Sequence, residues 1–265
     1  MVLVKGSSMV KVVSWAAIAI AFFASNLKVM AKNAEVALDK QITFYSEVYP
    51  PANYIENGEL KGITVDTLKA LWQHLDIPEQ DISVVPWSRG YRFTLTDENT
   101  ALFTMSRTHS REHLFKWVGP VFNSTHVLMA KKNKGLSFKK LGEIFYHKVA
   151  AVRGDISEIA LMQVGFPESN MAKVSELKQA YLMLEAGRVD MMVVTIHGFS
   201  YLSRQLGFNA GDYHAIWEVN KVGNYIAFNV DTPDDVISQY QQAFIAISQQ
   251  RLTIKEMYQL PEEEY

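Results

Sequence analysis

FTMSRTHSREHLFKWVGPVF, residues 103–122, enters as an apolar, strand-like run, then sets arginines 107 and 111 among hydroxyl side chains ahead of a Trp-Val-Gly-Pro turn. A solvated helix would mix charges throughout, and a core segment would carry none. Cations and hydroxyls just past a strand fit the wall of an anion-binding cleft, because open α/β sheets place their ligands at strand ends.

The surroundings support a strand in that place. Residues 41–46 alternate and are rich in β-formers, predicting a strand followed by a Tyr49-Pro50-Pro51 turn. Asn57-Gly58 marks a tight turn, and from Thr64 the apolar positions Val65, Leu68, Leu71, Trp72 and Leu75 fall at helical spacing. Residues 82–86 and 101–105 read as strands with a short helix from about Ser88 between them.

The second half repeats the alternation. Residues 148–152 form a strand ending at Gly154, with a helix from about Asp155. Ser175 is placed to cap a helix that stops at Gly187, and 189–194 is a buried strand. Thr232-Pro233-Asp234-Asp235 has the cap, first-turn proline and acids of a helix running toward Gln249. Met162, Met183, Met191 and Met192 read as core filler. Strands alternating with helices predict an α/β architecture with largely parallel sheets.

Composition narrows the setting. The chain has 265 residues, enough for one large domain or two lobes. Lys5 and Lys11 precede a charge-free apolar run over 12–27, and Val29-Met30-Ala31 follows, the pattern of a signal peptide over 1–31 cleaved near Ala31. Cleavage would remove three of the 26 basic residues and none of the 28 acidic ones. The resulting net charge of about −5 argues against generic nucleic-acid binding. Cysteine is absent, which excludes disulfides, thiol nucleophiles and a thioether-linked lipid. Gly-x-Ser-x-Gly and phosphate-loop motifs are absent too. His109 and His113 have metal-ligand spacing but no H-E-x-x-H pattern and no evident third ligand, so no metal or other cofactor is expected.

The order Tyr49-Pro50-Pro51, Asn57-Gly58, Gly62-Ile63, Pro86-Trp87, Thr108-x-x-Arg111, Trp117-Val118-Gly119-Pro120, Arg153-Gly154-Asp155 and Gly187-Arg188-Val189-Asp190 resembles the family 3 periplasmic solute-binding proteins. These are receptors of polar amino-acid uptake systems. The resemblance covers about residues 40–258. It implies an α/β, type II periplasmic-binding-protein fold of two lobes joined by two crossover strands, with lobe 1 over 39–125 and 225–258 and lobe 2 over 126–224. It further implies a monomeric periplasmic receptor that hands a small-molecule solute to an ABC permease in the inner membrane. The family arginine that grips the ligand carboxylate falls on Arg111, with Ser106 and Thr108 adding hydroxyls and Gly154-Asp155 offering helix N-terminal amides. Three positions depart from the pattern. Thr195 stands where relatives carry an ammonium-binding aspartate, Ala52 stands for the stacking aromatic, and Asn99-Thr100-Ala101 replaces a Gly-x-x-Asp segment.

Several side chains keep a second reading. Arg111 could be a solvated first-turn arginine with Thr108 as its cap. Trp87 offers an apolar wall or simply core packing, and Arg89 a second cation or a surface charge. Tyr54 is a candidate substitute for the missing aromatic. Glu47, at the end of the first strand, could take the place of the absent aspartate, as could Asp155, or be solvated. Two other functions share the scaffold: a periplasmic enzyme resembling a few dehydratases, with Glu47 or His197 as acid–base group, and a sensory ligand-binding module.

Overall fold

The computed structural model describes residues 41–259. The expected signal peptide lies outside the described residues. Among these residues ten strands are present: β1 (Thr43–Ser46), β2 (Tyr54–Glu56), β3 (Glu59–Lys61), β4 (Ile82–Val84), β5 (Thr100–Ser106), β6 (Phe115–Lys131), β7 (Val149–Val152), β8 (Met171–Val174), β9 (Met191–Thr195) and β10 (Tyr213–Asn229). Eight α-helices accompany them among the described residues: α1 (Ile63–His74), α2 (Trp87–Thr96), α3 (Leu141–Ile144), α4 (Ile156–Gln163), α5 (Leu177–Glu185), α6 (Ile196–Leu206), α7 (Asp234–Ala246) and α8 (Ser248–Met257).

Eight strands form one sheet in the order β4-β1-β5-β10-β6-β9-β7-β8. β1 runs parallel to β4 and β5, and β7 runs parallel to β8 and β9. The expectation of largely parallel sheets holds for these two groups but not between them. β6 and β10, each 17 residues long, pair antiparallel from Tyr213↔Lys131 to Asn229↔Phe115. β5 joins this ribbon at Asn224–Phe228, near one end, and β9 joins it at His126–Ala130, toward the other. Two parallel units are therefore tied together by two strands that run through both.

Each unit has its own apolar centre. In the first, Phe44 meets Trp72 at 5.2 Å, Phe228 meets Tyr240 at 5.1 Å, and the Trp72 indole N–H donates to the Tyr240 hydroxyl at 3.2 Å. In the second, Leu128, Val149, Leu161, Met191 and Val193 are buried together. Asn57 and Gly58, both at positive φ, turn β2 into β3 as their sequence requires.

Boundaries shift where capping chemistry differs from the reading of the sequence. α5 is capped at Glu176, because the Ser175 amide and hydroxyl both donate to the Gln179 side chain. α7 has Pro233 as its cap residue, while the buried Thr232 hydroxyl makes no hydrogen bond. That helix ends at Ala246, and α8 follows at Ser248. Met191 and Met192 are core residues, but Met162 is exposed on α4.

Candidate functional site

Just past β5 the chain makes a single 3-10 turn, His109–Arg111, rather than a longer helix. His109 and His113 are exposed, whereas Arg111 turns inward and is only 2% exposed. Its Nη1 donates to the Ser106 carbonyl at 3.0 Å, and its Nη2 donates to the Gly154 carbonyl at 2.8 Å. The first bond lies within the β4-β1-β5 unit; the second reaches the turn after β7 in the other unit. The guanidinium also lies 5.2 Å from the Trp87 ring and 5.4 Å from that of Tyr91.

No ion pair forms to Arg111 among the described residues. Burial pulls its pKa down, opposed by Asp155 and the Tyr91 phenol, and the group stays charged. Here a desolvated cation is held by two carbonyls and faced by two aromatic rings, without a carboxylate in salt-bridge contact among the described residues. Of the five N–H groups of a guanidinium, two are engaged by these carbonyls.

The turn after β7 is arranged differently from the expectation of free helix amides. The Gly154 N–H donates to Glu158 at 2.5 Å, and the Asp155 N–H to the Val152 carbonyl. Gly154, at φ +70°, thus presents its carbonyl to Arg111. Asp155 caps α4 by accepting from the Ser157 amide at 3.5 Å, and it also accepts from the Ser157 hydroxyl at 3.1 Å. The signal was present in the sequence: Asp155 and Glu158 have capping-box spacing.

On the opposite wall, Trp87 opens α2 and is buried, with an indole N–H that makes no hydrogen bond. A Cβ added at Gly154 would lie 3.9 Å from that nitrogen, so the indole edge also faces the β7 turn. Ser106 is buried, its hydroxyl joined to Asn224, whose amide donates to Ser124 at 2.7 Å. Thr108 pairs with Ser110 at an exposed position, and Arg89 is exposed on α2, so neither is gathered around Arg111.

Glu47 follows β1 and is half-buried. Its backbone is fixed by a polar chain, in which Asn53 donates to the Glu47 carbonyl and Thr104 donates to Asn53 at 2.6 Å. Thr104 adopts φ +61°, a strained conformation for a β-branched residue, next to this network. Burial raises the Glu47 pKa well above the usual carboxylate range, with Asp155 and Glu176 adding to the rise. His126, at the start of the β6–β9 pairing, is buried against the Tyr49 hydroxyl at 2.8 Å. Burial lowers its pKa, with Asp155 and Asn220 opposing. Its Nδ1 makes no hydrogen bond of ordinary geometry.

Thr195 ends β9 and caps α6, accepting from the Gly198 amide at 3.1 Å. Tyr54 meets Tyr201 of α6 at 4.9 Å, and the Tyr201 hydroxyl donates to the Ile55 carbonyl at 3.2 Å. Tyr54 of the first unit thus packs on Tyr201 of the second. Sequence reasoning missed that partner, as it missed Tyr49, Tyr91 and His126. Tyr91 alone had a readable signal, one helical turn after Trp87.

Residues 42–255 match the bacterial extracellular solute-binding proteins, family 3. The chain belongs to this family. A search of curated protein sequences gives no significant match. Solved structures share the fold at low identity. A histidine kinase sensor domain with similarity to periplasmic binding proteins is 17% identical, with a TM-score of 0.74 over 83% of this chain and 96% of its own. An ancestral arginine-binding protein bound to arginine is 20% identical, with a TM-score of 0.72 over 82% and 97%. The arginine-, lysine-, histidine-binding protein ArtJ from Geobacillus stearothermophilus is 14% identical, with a TM-score of 0.72 over 83% and 95%. The fold is thus the type II periplasmic-binding-protein fold, two lobes joined by β6 and β10. Among the described residues no helix is long and apolar enough to cross a membrane, and no three His, Asp or Glu side chains are grouped to hold a metal ion.

Proposed function

We propose that this protein is a periplasmic receptor that captures a small carboxylate-bearing solute, an amino acid or a relative, between lobe 1 (39–125 and 225–258) and lobe 2 (126–224). It passes the solute to an ABC-type permease without altering it. The observation that carries this reading is Arg111, a buried guanidinium with no ion-pair partner, reaching from one lobe to the other. A carboxylate entering the cleft takes up the remaining N–H groups and replaces lost hydration. Each such charge-assisted bond contributes roughly 1.5–3 kcal/mol. Lobe closure around the guest excludes water and strengthens the pairing.

Glu47 supplies the partner for an ammonium group in place of the aspartate that Thr195 has replaced. It has Asp155 and Glu176 close enough to act on its charge, so a cation relieves mutual repulsion there. Trp87 forms the wall behind the carboxylate, and Ser106 holds Arg111 through its carbonyl. Uptake is supported by the family and by the ABC-transporter receptors among its structural neighbours.

A thermal-shift series over amino acids, dicarboxylates and polyamines tests the reading, with recovery of the compound afterwards. Stabilisation by a carboxylate that is recovered intact is expected. A series in which only carboxylate-free compounds stabilise the protein, or in which the compound is converted, would overturn it.

A further inference from the structure

A cavity of about 430 Å³ is walled by both lobes and has Glu47 on its lining. Lobe 1 supplies Val48 after β1, Ile55 on β2 and Val84 at the end of β4, which are 39%, 44% and 36% exposed. Lobe 2 supplies Leu177 from the first turn of α5 and Leu202 from α6. Pro86 and Glu47 also line it, and they connect it to the arginine: Pro86 precedes Trp87, and Glu47 shares the field of Asp155 with Arg111. Aliphatic side chains exposed singly are ordinary, but here several from both lobes face one shared space, as in a ligand pocket.

The chemistry of the walls is selective. Among the described residues no aromatic ring lines the cavity, so a guanidinium or ammonium entering it finds no π-face there to replace its water. At its edge Glu176 is accompanied by Lys178, so the local charge is mixed, and Glu47 lines the same space. Resting on the proposed function, we infer that this cavity receives the side chain of the solute and selects an apolar one. The solute class is then an amino acid with a branched aliphatic or aromatic side chain: carboxylate on Arg111, ammonium on Glu47, apolar body against Val48, Val84 and Leu202.

Calorimetric titration of the parent protein with L-leucine, L-phenylalanine, L-alanine, L-arginine, L-glutamate and isoamylamine tests this. L-Leucine or L-phenylalanine should bind at least about tenfold tighter than L-arginine, L-glutamate and L-alanine, as filling an apolar pocket predicts. Val84→Ser, at an exposed strand end, should lower the leucine-to-alanine affinity ratio by about threefold or more. Tighter binding of L-arginine or L-glutamate, or an unchanged ratio in Val84→Ser, would overturn the assignment of the cavity while leaving the carboxylate reading intact. Equal binding of isoamylamine and L-leucine would leave the cavity assignment standing and overturn the carboxylate reading. Binding of none of the probes would overturn both.

Discussion

Replacing Arg111 by methionine separates a receptor's cation from a structural strut. The guanidinium makes hydrogen bonds of 3.0 and 2.8 Å to the Ser106 and Gly154 carbonyls, together worth about 3–6 kcal/mol for a charged donor. Its position by the Trp87 and Tyr91 rings, at 5.2 and 5.4 Å, adds about 2 kcal/mol when desolvated. Against this stands the desolvation of a nearly fully buried charge without an ion-pair partner, several kcal/mol after relaxation. The opposing contributions nearly cancel, and methionine fills much of the volume with an apolar chain. Urea unfolding of the ligand-free Arg111→Met variant should therefore differ from the parent by less than about 2 kcal/mol. Calorimetric affinity for the best carboxylate ligand should fall by at least about a hundredfold, since two charge-assisted bonds are lost. A loss of more than about 4 kcal/mol in stability would show that the arginine is chiefly a strut. An affinity within about threefold of the parent would place the anion elsewhere.

Three further outcomes follow from the same geometry. Glu47 has a raised pKa, so the folded protein holds a proton there that the unfolded chain releases above about pH 4.3; ligand-free stability gains from this group as pH falls through the raised value toward that of the unfolded chain, and Glu47→Gln should remove that gain. His126 works in the opposite sense, its lowered pKa withdrawing stability below about pH 6.5, so parent and variant are compared by chemical denaturation at each pH, and parallel curves would contradict the Glu47 account. Tyr201→Phe removes the hydroxyl that bonds the Ile55 carbonyl across the lobes, and stopped-flow ligand release should accelerate by about two- to tenfold, an unchanged rate meaning that the contact does not hold the closed state. Gly62→Ala should lower unfolding stability by more than about 3 kcal/mol, because Gly62 has φ +133° and an added Cβ would overlap the Ala52 carbonyl; a neutral melt would contradict that packing.

Local chemistry was largely legible in the sequence. Period-two and helical patterns located β1, β4, β5, α1 and α2, and Asn57-Gly58 fixed the β2–β3 turn because both residues tolerate positive φ. The local sequence left Arg111 open between a cleft cation and a solvated first-turn arginine, and its burial at 2% exposure decides against the solvated one. What stayed hidden depends on partners distant in the chain. The long β6–β10 ribbon is broken in register at several points, and its polar residues blur the alternation that would reveal its length. Tyr54 and Tyr201 are 147 positions apart, so nothing local tells that the two rings meet. The reversal at Gly154 turns on Glu158, a capping partner whose spacing could be read but whose choice of amide could not. The apolar cavity, likewise, is assembled from valines and leucines that look like ordinary core residues one at a time.

The most direct test of the central claim compares a single solute in two charge states. The best-binding amino acid and its carboxamide, which keeps the shape and the ammonium but has no negative charge, are titrated into the parent protein by calorimetry. If the buried Arg111 guanidinium holds the solute, the carboxylate binds at least about a hundredfold tighter than the amide. Equal affinities would contradict the account.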